Sequence, residues 1–274
     1  MTGKNANGDF QGHSDESRAI WDANAEWWDD RIGDGNDFQC ELIEPATERL
    51  IDAAPGKTIL DIACGAGRFG RRMAALGARV VAFDFSERFI HRARERTPKD
   101  MRNIEYHVID ATDREQMRLL GAGRFDGAVA TMCLMDMATI TPLFGVLPEL
   151  LKPGGWFVFS IMHPCFQPPG FRKFAEMHEE EDGFVVRAGV QITSYITPAV
   201  WKGDGIVGQP QKQYYFHRPL SLLLNTAFQH GFVMDGIEEP TFREKPAEGR
   251  YLRWDAMPEI PPVVVVLLRL AGAK

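Results

Sequence analysis

The sequence predicts an α/β protein built on a doubly wound, mainly parallel sheet with helices on both faces. Three observations carry this prediction. Short apolar runs alternate with helix-like segments from Lys57 to Met162, the pattern of a parallel sheet covered on both sides. A glycine-rich loop follows the first run, where such sheets place ligands. Acidic residues close the second and third runs.

Residues 1–13 are polar and rich in Gly and Asn, and read as a disordered tail without a secretion signal. From Ser14, the positions Ile20, Trp21, Asn24, Trp27, Trp28, Arg31 and Ile32 follow helical spacing, which predicts one broad tryptophan face. Residues 33–36 end that helix. Leu42, Ile43, Ala46, Leu50 and Ile51 mark a second one, with Pro45 near its start. Residues 14–54 are thus expected to form a helical cover.

Strands are predicted at 58–63, 79–85, 104–110, 125–132 and 156–162. Helices are predicted at 68–76, stopped by Gly77, at 86–96 with Ser86 as N-cap, and at 139–151, shortened or kinked by Pro142 and Pro148. Lys152-Pro153-Gly154-Gly155 reads as a turn. Residues 165–216 break the rhythm with Pro168-Pro169-Gly170, an acidic run at 179–182, a β-like stretch at 185–196 and several glycines. They read as an inserted lid with small strands of its own. A helix at 219–230 and strands at 233–237 and 262–270 complete the chain.

Among 274 residues, 31 are basic and 38 acidic, a net charge of −7. This disfavours nucleic acid, whose binding rests on phosphate neutralisation by Lys and Arg. The longest apolar stretch, 263–268, is far below the ~20 residues of a spanning helix, so no membrane partner is expected. Cys40, Cys64, Cys133 and Cys165 form no CxxC pair and no zinc set. Four scattered thiols suit a reducing cytoplasm, and no metal is expected.

The most informative segment is Leu60-Asp61-Ile62-Ala63-Cys64-Gly65-Ala66-Gly67-Arg68-Phe69. Its glycines let a ligand approach the backbone, and the following helix offers free N–H groups. Asp61 before the glycines would repel a pyrophosphate and suits a ligand with an amine-bearing end. Asp84, closing the second strand, can accept from both hydroxyls of a ribose. Asp110-Ala111, closing the third, can read an adenine edge. A nucleoside with a charged, non-phosphate tail satisfies all three, and S-adenosylmethionine is such a molecule.

From Ile59 to about Ser160 the chain resembles the class I, Rossmann-like S-adenosylmethionine-dependent methyltransferases of the small bacterial, small-molecule type. Their loop usually reads acid-x-Gly-x-Gly-x-Gly; here Ala63 takes the first Gly position while Gly65 and Gly67 are kept. Leu151-Lys152-Pro153-Gly154-Gly155 resembles the family's turn before the fifth strand. The resemblance implies a seven-stranded sheet whose last strand is antiparallel, in one domain spanning 14–274. It places the cofactor on Asp61, Ala63, Gly65, Gly67, Arg68, Asp84, Phe85, Asp110, Ala111 and Met132, with Asp61 near the methionine amino group. The product would be S-adenosylhomocysteine.

Methyl transfer needs alignment and water exclusion more than covalent help, and Thr131 to Asp136, where the fourth strand runs out, should lie beside the transferring methyl. An oxygen acceptor often needs a base. His163, where the fifth strand runs out, and His217, in Phe216-His217-Arg218-Pro219, are the catalytic candidates. Trp27, Trp28, Tyr195, Trp201 and Tyr214 lie on the covering segments and are the expected substrate contacts, suiting a flat or cationic small molecule. The expected reaction is methylation of a small-molecule hydroxyl, with N-methylation of a small amine or heterocycle as the alternative.

Three rivals remain at this point. Gly65-Ala66-Gly67-Arg68-Phe69-Gly70 also fits the spacing of a dinucleotide loop, although Asp61 and Asp110 oppose an oxidoreductase. Pro164-Cys165 could suggest a cysteine nucleophile acting on pyrimidines. A binding protein that keeps the cofactor site without transfer is the third. Oligomeric state is not legible.

Overall fold

The computed structural model describes residues 8–181, 183–243 and 249–272. Strands β1 (Thr58–Ile62), β2 (Arg79–Asp84), β3 (Ile104–Val108), β4 (Phe125–Thr131), β5 (Leu151–Met162), β10 (Phe232–Glu238) and β11 (Val263–Leu270) form one sheet. Its order is β10-β11-β5-β4-β1-β2-β3. β1 to β5 pair in parallel, and β11 runs antiparallel to both β5 and β10. The sheet reverses its winding between β1 and β4, which opens a crevice at their carboxyl ends.

Alternate residues of each strand feed two cores. Leu60, Ile62, Val81 and Phe83 face one side, packing with Leu143, Phe144 and Leu147 of α6 (Thr141–Leu150) and Leu223 of α7 (Leu220–Gln229). Ile59, Val80 and Ala82 face the other, against Ala46 of α2 (Glu44–Leu50), Phe69 and Met73 of α3 (Arg68–Ala75), and Ile90 of α4 (Glu87–Arg96). Ser86 caps α4 through Phe89 N–H as predicted. The short α5 (Arg114–Arg118), capped by Asp113, was not predicted; one and a half turns carry too little periodicity to read. The expected turn at Lys152-Pro153-Gly154-Gly155 is an irregularity inside β5, where its register against β4 shifts. Pro142 sits in the first turn of α6, and Pro148 lies inside the helix, two residues before its end.

The tail expected over 1–13 is corrected for residues 8–13. Phe10 is buried against Phe216, its N–H donates to Ala138 O at 2.8 Å, and Gln11–His13 form a helical turn. Residues 1–7 lie outside the described chain. An aromatic anchor, invisible to a reading based on polarity, decides this segment.

Helix α1 (Ser14–Ile32) lies over the carboxyl end of the sheet, followed by a wider helical turn, Phe38–Ile43, that leads into α2. Between β5 and α7 come two hairpins, β6 (Arg172–Glu180) with β7 (Gly183–Gln191), and β8 (Ala199–Gly203) with β9 (Gln213–His217). Most of the acidic run, Glu179 to Glu181, falls at the tip of the first hairpin, and Asp182 lies outside the described residues. The second hairpin is joined to α1: Asn24 Nδ2 donates to Gln211 O at 2.8 Å, and Gln211 N–H donates back to Asn24 Oδ1 at 3.0 Å. Lys202 Nζ and Tyr214 Oη both reach the Glu16 carboxylate, at 2.5 and 2.6 Å.

Candidate active site

The glycine loop leaves β1 and starts α3 through three residues with positive φ: Ala63 (50°), Gly65 (52°) and Gly67 (75°). Gly67 has a second reason to be glycine, because a Cβ there would sit 2.6 Å from Tyr106 Oη. Ala63 and Met132 are the non-glycine residues held at positive φ among the described residues, and both line the cavity below. Such backbone costs of order 1–3 kcal/mol and collects at functional sites.

Asp84 braces this loop. Its Oδ2 accepts Gly65 N–H at 3.0 Å and its Oδ1 accepts Ser86 N–H at 2.9 Å. Each oxygen keeps acceptor capacity, enough for two ribose hydroxyls. Burial, reinforced by the nearby Asp110 charge, pushes the Asp84 carboxyl up to about 6.

Asp61 is placed differently from its expected role. On β1 it shares the face of Ile59, toward α3, and it is 1% exposed. A Cβ on Gly70 of α3 would meet its Oδ2 at 2.8 Å. It does not line the cavity, and the Gly70 N–H offsets its charge only weakly, outside full hydrogen-bond geometry. Burial, with Asp84 adding like charge, raises it to about 7. The period-two alternation of a strand sends Asp61 behind the loop. Gly67, also buried, is likewise absent from the cavity wall and shapes the loop from behind.

Asp110 stands just past β3. Its Oδ1 accepts from Thr112 N–H at 2.8 Å and from Thr112 Oγ1 at 2.9 Å, and its Oδ2 pairs with Arg18 of α1. The Arg18 guanidinium also lies 5.8 Å from the Phe85 ring. Arg68 lines the wall but is bound to the buried Glu44 at 2.6 and 3.1 Å. Across the space, the indole N–H of Trp21 is buried without a partner. An orphaned donor, a carboxylate with spare lone pairs, and a loop with bare backbone suit a polar nucleoside.

Ala63, Gly65, Arg68, Asp84, Phe85, Asp110, Ala111 and Met132, all expected at the cofactor, line one cavity of about 600 Å³. Ligand pockets commonly span about 300–1,000 Å³. The same cavity continues past Met132 to Asp136, Gln213, Tyr215, Trp201 and Trp28. Gln213 Nε2 donates to Asp136 Oδ1 at 3.2 Å. Enclosure in the wall lifts the Asp136 carboxyl well above the ordinary carboxylate range. Trp201 and Tyr215 stack at 5.4 Å.

Neither histidine expected to be catalytic lines this cavity. His163 is buried, its Nε2 is 2.7 Å from Glu239 Oε1, and its Nδ1 accepts Cys165 N–H at 3.2 Å. Both nitrogens are therefore engaged in holding the turn after β5. His217 Nε2 meets Tyr195 O at 2.6 Å, beside a separate space of about 30 Å³. Burial lowers the pKa of both imidazoles. A strand-end histidine is as readily a fastening as a base, and the sequence does not separate the two.

Of the expected substrate contacts, Trp28 and Trp201 line the cavity, and Trp27, Tyr195 and Tyr214 do not. On α1, seven residues bring Trp21 and Trp28 nearly into line, whereas Trp27 is turned about 100° from Trp28. On β9, Tyr215 faces the cavity while Tyr214 and Phe216 turn to the core around Phe10. Tyr195 Oη accepts Leu220 N–H at 2.9 Å, capping α7. The residues missed by sequence reasoning are Trp21, Gln213 and Tyr215. Helix phase and strand parity could have found the first and last. Asp136 belongs to the segment after β4 expected beside the transferring methyl group.

The fold, the loop and the acids at the ends of β2 and β3 are arranged as in the class I, Rossmann-like S-adenosylmethionine-dependent methyltransferases. Residues 59–155, about a third of the chain, match the methyltransferase-domain family. The chain is 30% identical over 141 residues to a ubiquinone biosynthesis O-methyltransferase of Thiobacillus denitrificans, covering 50% of this chain and 58% of the relative. It is 31% identical over 163 residues to the protein of that name from Paraburkholderia xenovorans, covering 57% and 62%. These alignments span about three-fifths of each relative's length. The crystal structure of an S-adenosylmethionine-dependent methyltransferase from Mesorhizobium loti superposes with a TM-score of 0.64 at 26% identity, over 82% of this chain and 96% of that one. S-adenosylmethionine is the cofactor of this class. No helix among the described residues is long and apolar enough to cross a membrane.

Proposed function

We propose that this protein moves a methyl group from S-adenosylmethionine to a hydroxyl oxygen of a small molecule, releasing S-adenosylhomocysteine. The observation that carries the reading is the single cavity joining Asp84 and Asp110 to Asp136 and Tyr215. It gives cofactor and acceptor one enclosed space, divided at Met132. The likeness to ubiquinone biosynthesis O-methyltransferases supports oxygen as the target atom.

The cofactor supplies a methyl group already activated on a sulfonium. In this reading Asp84 receives the ribose hydroxyls, Asp110 and the Ala111 backbone meet the adenine edge, and the backbone of Ala63 and Gly65 underlies the methionine end. Residues 14–54 and 165–216 act as cover and lid of one domain spanning 14–274, and exclude water. The enclosed site and net acid charge favour a small-molecule partner over nucleic acid, and a cytoplasmic location fits four free thiols.

The test is calorimetry with S-adenosylmethionine and S-adenosylhomocysteine, followed by labelled-methyl transfer to phenols, alcohols and amines. Binding of both nucleosides and label in an ether product is the expected result. No binding of either overturns the reading. N-methylation is the second reading, favoured by Asp136 and Asp204 in the acceptor half, where one carboxylate could hold an amine substrate and the other take the ammonium proton to free the nitrogen lone pair.

A further inference from the structure

We propose that Asp136 is the general base for a phenolic acceptor whose ring lies among Trp28, Trp201 and Tyr215. The inference rests on the methyl transfer proposed above and names its substrate class.

Asp136 follows β4 at the carboxyl end of the sheet, four residues beyond the strained Met132, and lines the same cavity. Gln213 occupies its Oδ1, whereas its Oδ2 takes no hydrogen bond among the described residues. One oxygen is thus held in place and the other is left for a ligand.

The walls are flat and apolar. Trp201 and Tyr215 form a slab with rings 22° from parallel. Gly205 packs closely against these walls: a Cβ there would lie 2.6 Å from the Trp28 ring and 3.0 Å from both Tyr215 Oη and Gln213 Oε1, so a larger residue would displace them. Aromatic rings stack well on such walls.

The charges narrow the class. The lining cations are Arg18, Arg68 and Arg71, all beside the cofactor loop and acids. Arg18 is committed to Asp110 and Arg68 to Glu44. The acceptor half holds Asp136 and Asp204 without Lys or Arg. A carboxylate-bearing phenol would meet repulsion there, so the structure favours an uncharged phenol. Cys133 and Tyr215 feel the Asp136 charge, and burial holds both protonated.

In the step, the phenol O–H proton passes to Asp136 Oδ2 while the oxygen bonds the methyl carbon. The carbon–sulfur bond breaks with its electron pair staying on sulfur, leaving a neutral thioether. Asp136 then returns the proton to water.

The experiment compares wild type with Asp136→Asn, using catechol, the more acidic 4-nitrophenol, and phenethylamine as acceptors. Cofactor affinity is measured by calorimetry, and catechol binding to the S-adenosylhomocysteine complex by tryptophan fluorescence. With a base role, the variant keeps the wild-type cofactor affinity and thermal stability. It loses roughly 10²–10³-fold in kcat/KM for catechol, loses much less for 4-nitrophenol, which needs less help to ionise, and binds catechol about tenfold more weakly. Equal losses on both phenols, or no loss on either, overturn the base role. Transfer by wild type to phenethylamine alone, or to none of the three while both nucleosides bind, overturns the phenol class. Failure to bind the nucleosides overturns the underlying methyltransferase reading instead.

Discussion

Asp84 holds Gly65: the Oδ2 of the strand-end carboxylate accepts the loop N–H at 3.0 Å, so one side chain shapes the glycine loop and, in the proposed cofactor site, would also offer lone pairs to a ribose. Asp84→Ala therefore removes two functions together. We expect S-adenosylmethionine affinity to fall at least about tenfold, about 1.4 kcal/mol, in calorimetry. Because Asp84 titrates at about 6, wild-type affinity should also weaken as pH drops from about 8 to about 5. Asp84→Asn should flatten that dependence. A variant with unchanged affinity would remove Asp84 from the cofactor site.

Asp61 gives a stability prediction of opposite character. Its folded pKa, about 7, is raised above the ordinary 3.8, so the folded chain binds the proton more tightly than the unfolded one. The stabilising contribution is full below about pH 4 and is lost as pH rises through about 7. Asp61→Asn, which carries no charge to desolvate, should raise the melting temperature of the cofactor-free protein relative to wild type more at about pH 8 than at about pH 5, by several degrees. A gap independent of pH would refute the buried, unpaired carboxyl.

His163 is expected to matter for folding rather than chemistry. Replacing it with Phe abandons the Glu239 and Cys165 contacts. The loss should be about 1–3 kcal/mol in denaturant melts, with kcat at saturating substrates within about threefold of wild type. A kcat collapse without a stability change would return His163 to the catalytic list.

Gly205→Ala probes the acceptor half alone. The added methyl has no room beside Trp28, Tyr215 and Gln213 and must displace at least the Trp28 ring. Acceptor KM should rise roughly tenfold, in keeping with the sensitivity of transfer to small misplacements, while cofactor affinity stays put. An equal change in both would show that the two halves are not separable at this glycine.

The sheet was legible, as was the grouping of Asp84, Asp110 and the glycine loop on one cavity wall, because each depends on local order in the chain. A buried apolar run, a glycine loop and an acid two residues before it occur within one short segment, and Asp84 and Asp110 repeat at strand ends. The acceptor half was less legible because it is assembled from distant pieces. Tyr215 and Asp136 meet only when the second hairpin folds back over β4. Which of Tyr214 and Tyr215 faces inward depends on one residue of strand register, and the composition of 165–216 does not specify it. Asp61 shows the converse: its place in the motif was read correctly and its direction was not, because β1 alternates faces and the motif alone does not.

The reciprocal Asn24–Gln211 hydrogen bonds, together with Glu16 bridging Lys202 and Tyr214, tie helix α1 to the second hairpin as a single shutter. In the proposed reaction the spent nucleoside would lie under one leaf and the methylated product under the other. Releasing either would strain the same fastening, so turnover is expected to be gated by one opening rather than two. In hydrogen exchange, the amides of α1 and β9 should then lose protection together, at a common rate that slows when S-adenosylhomocysteine is bound.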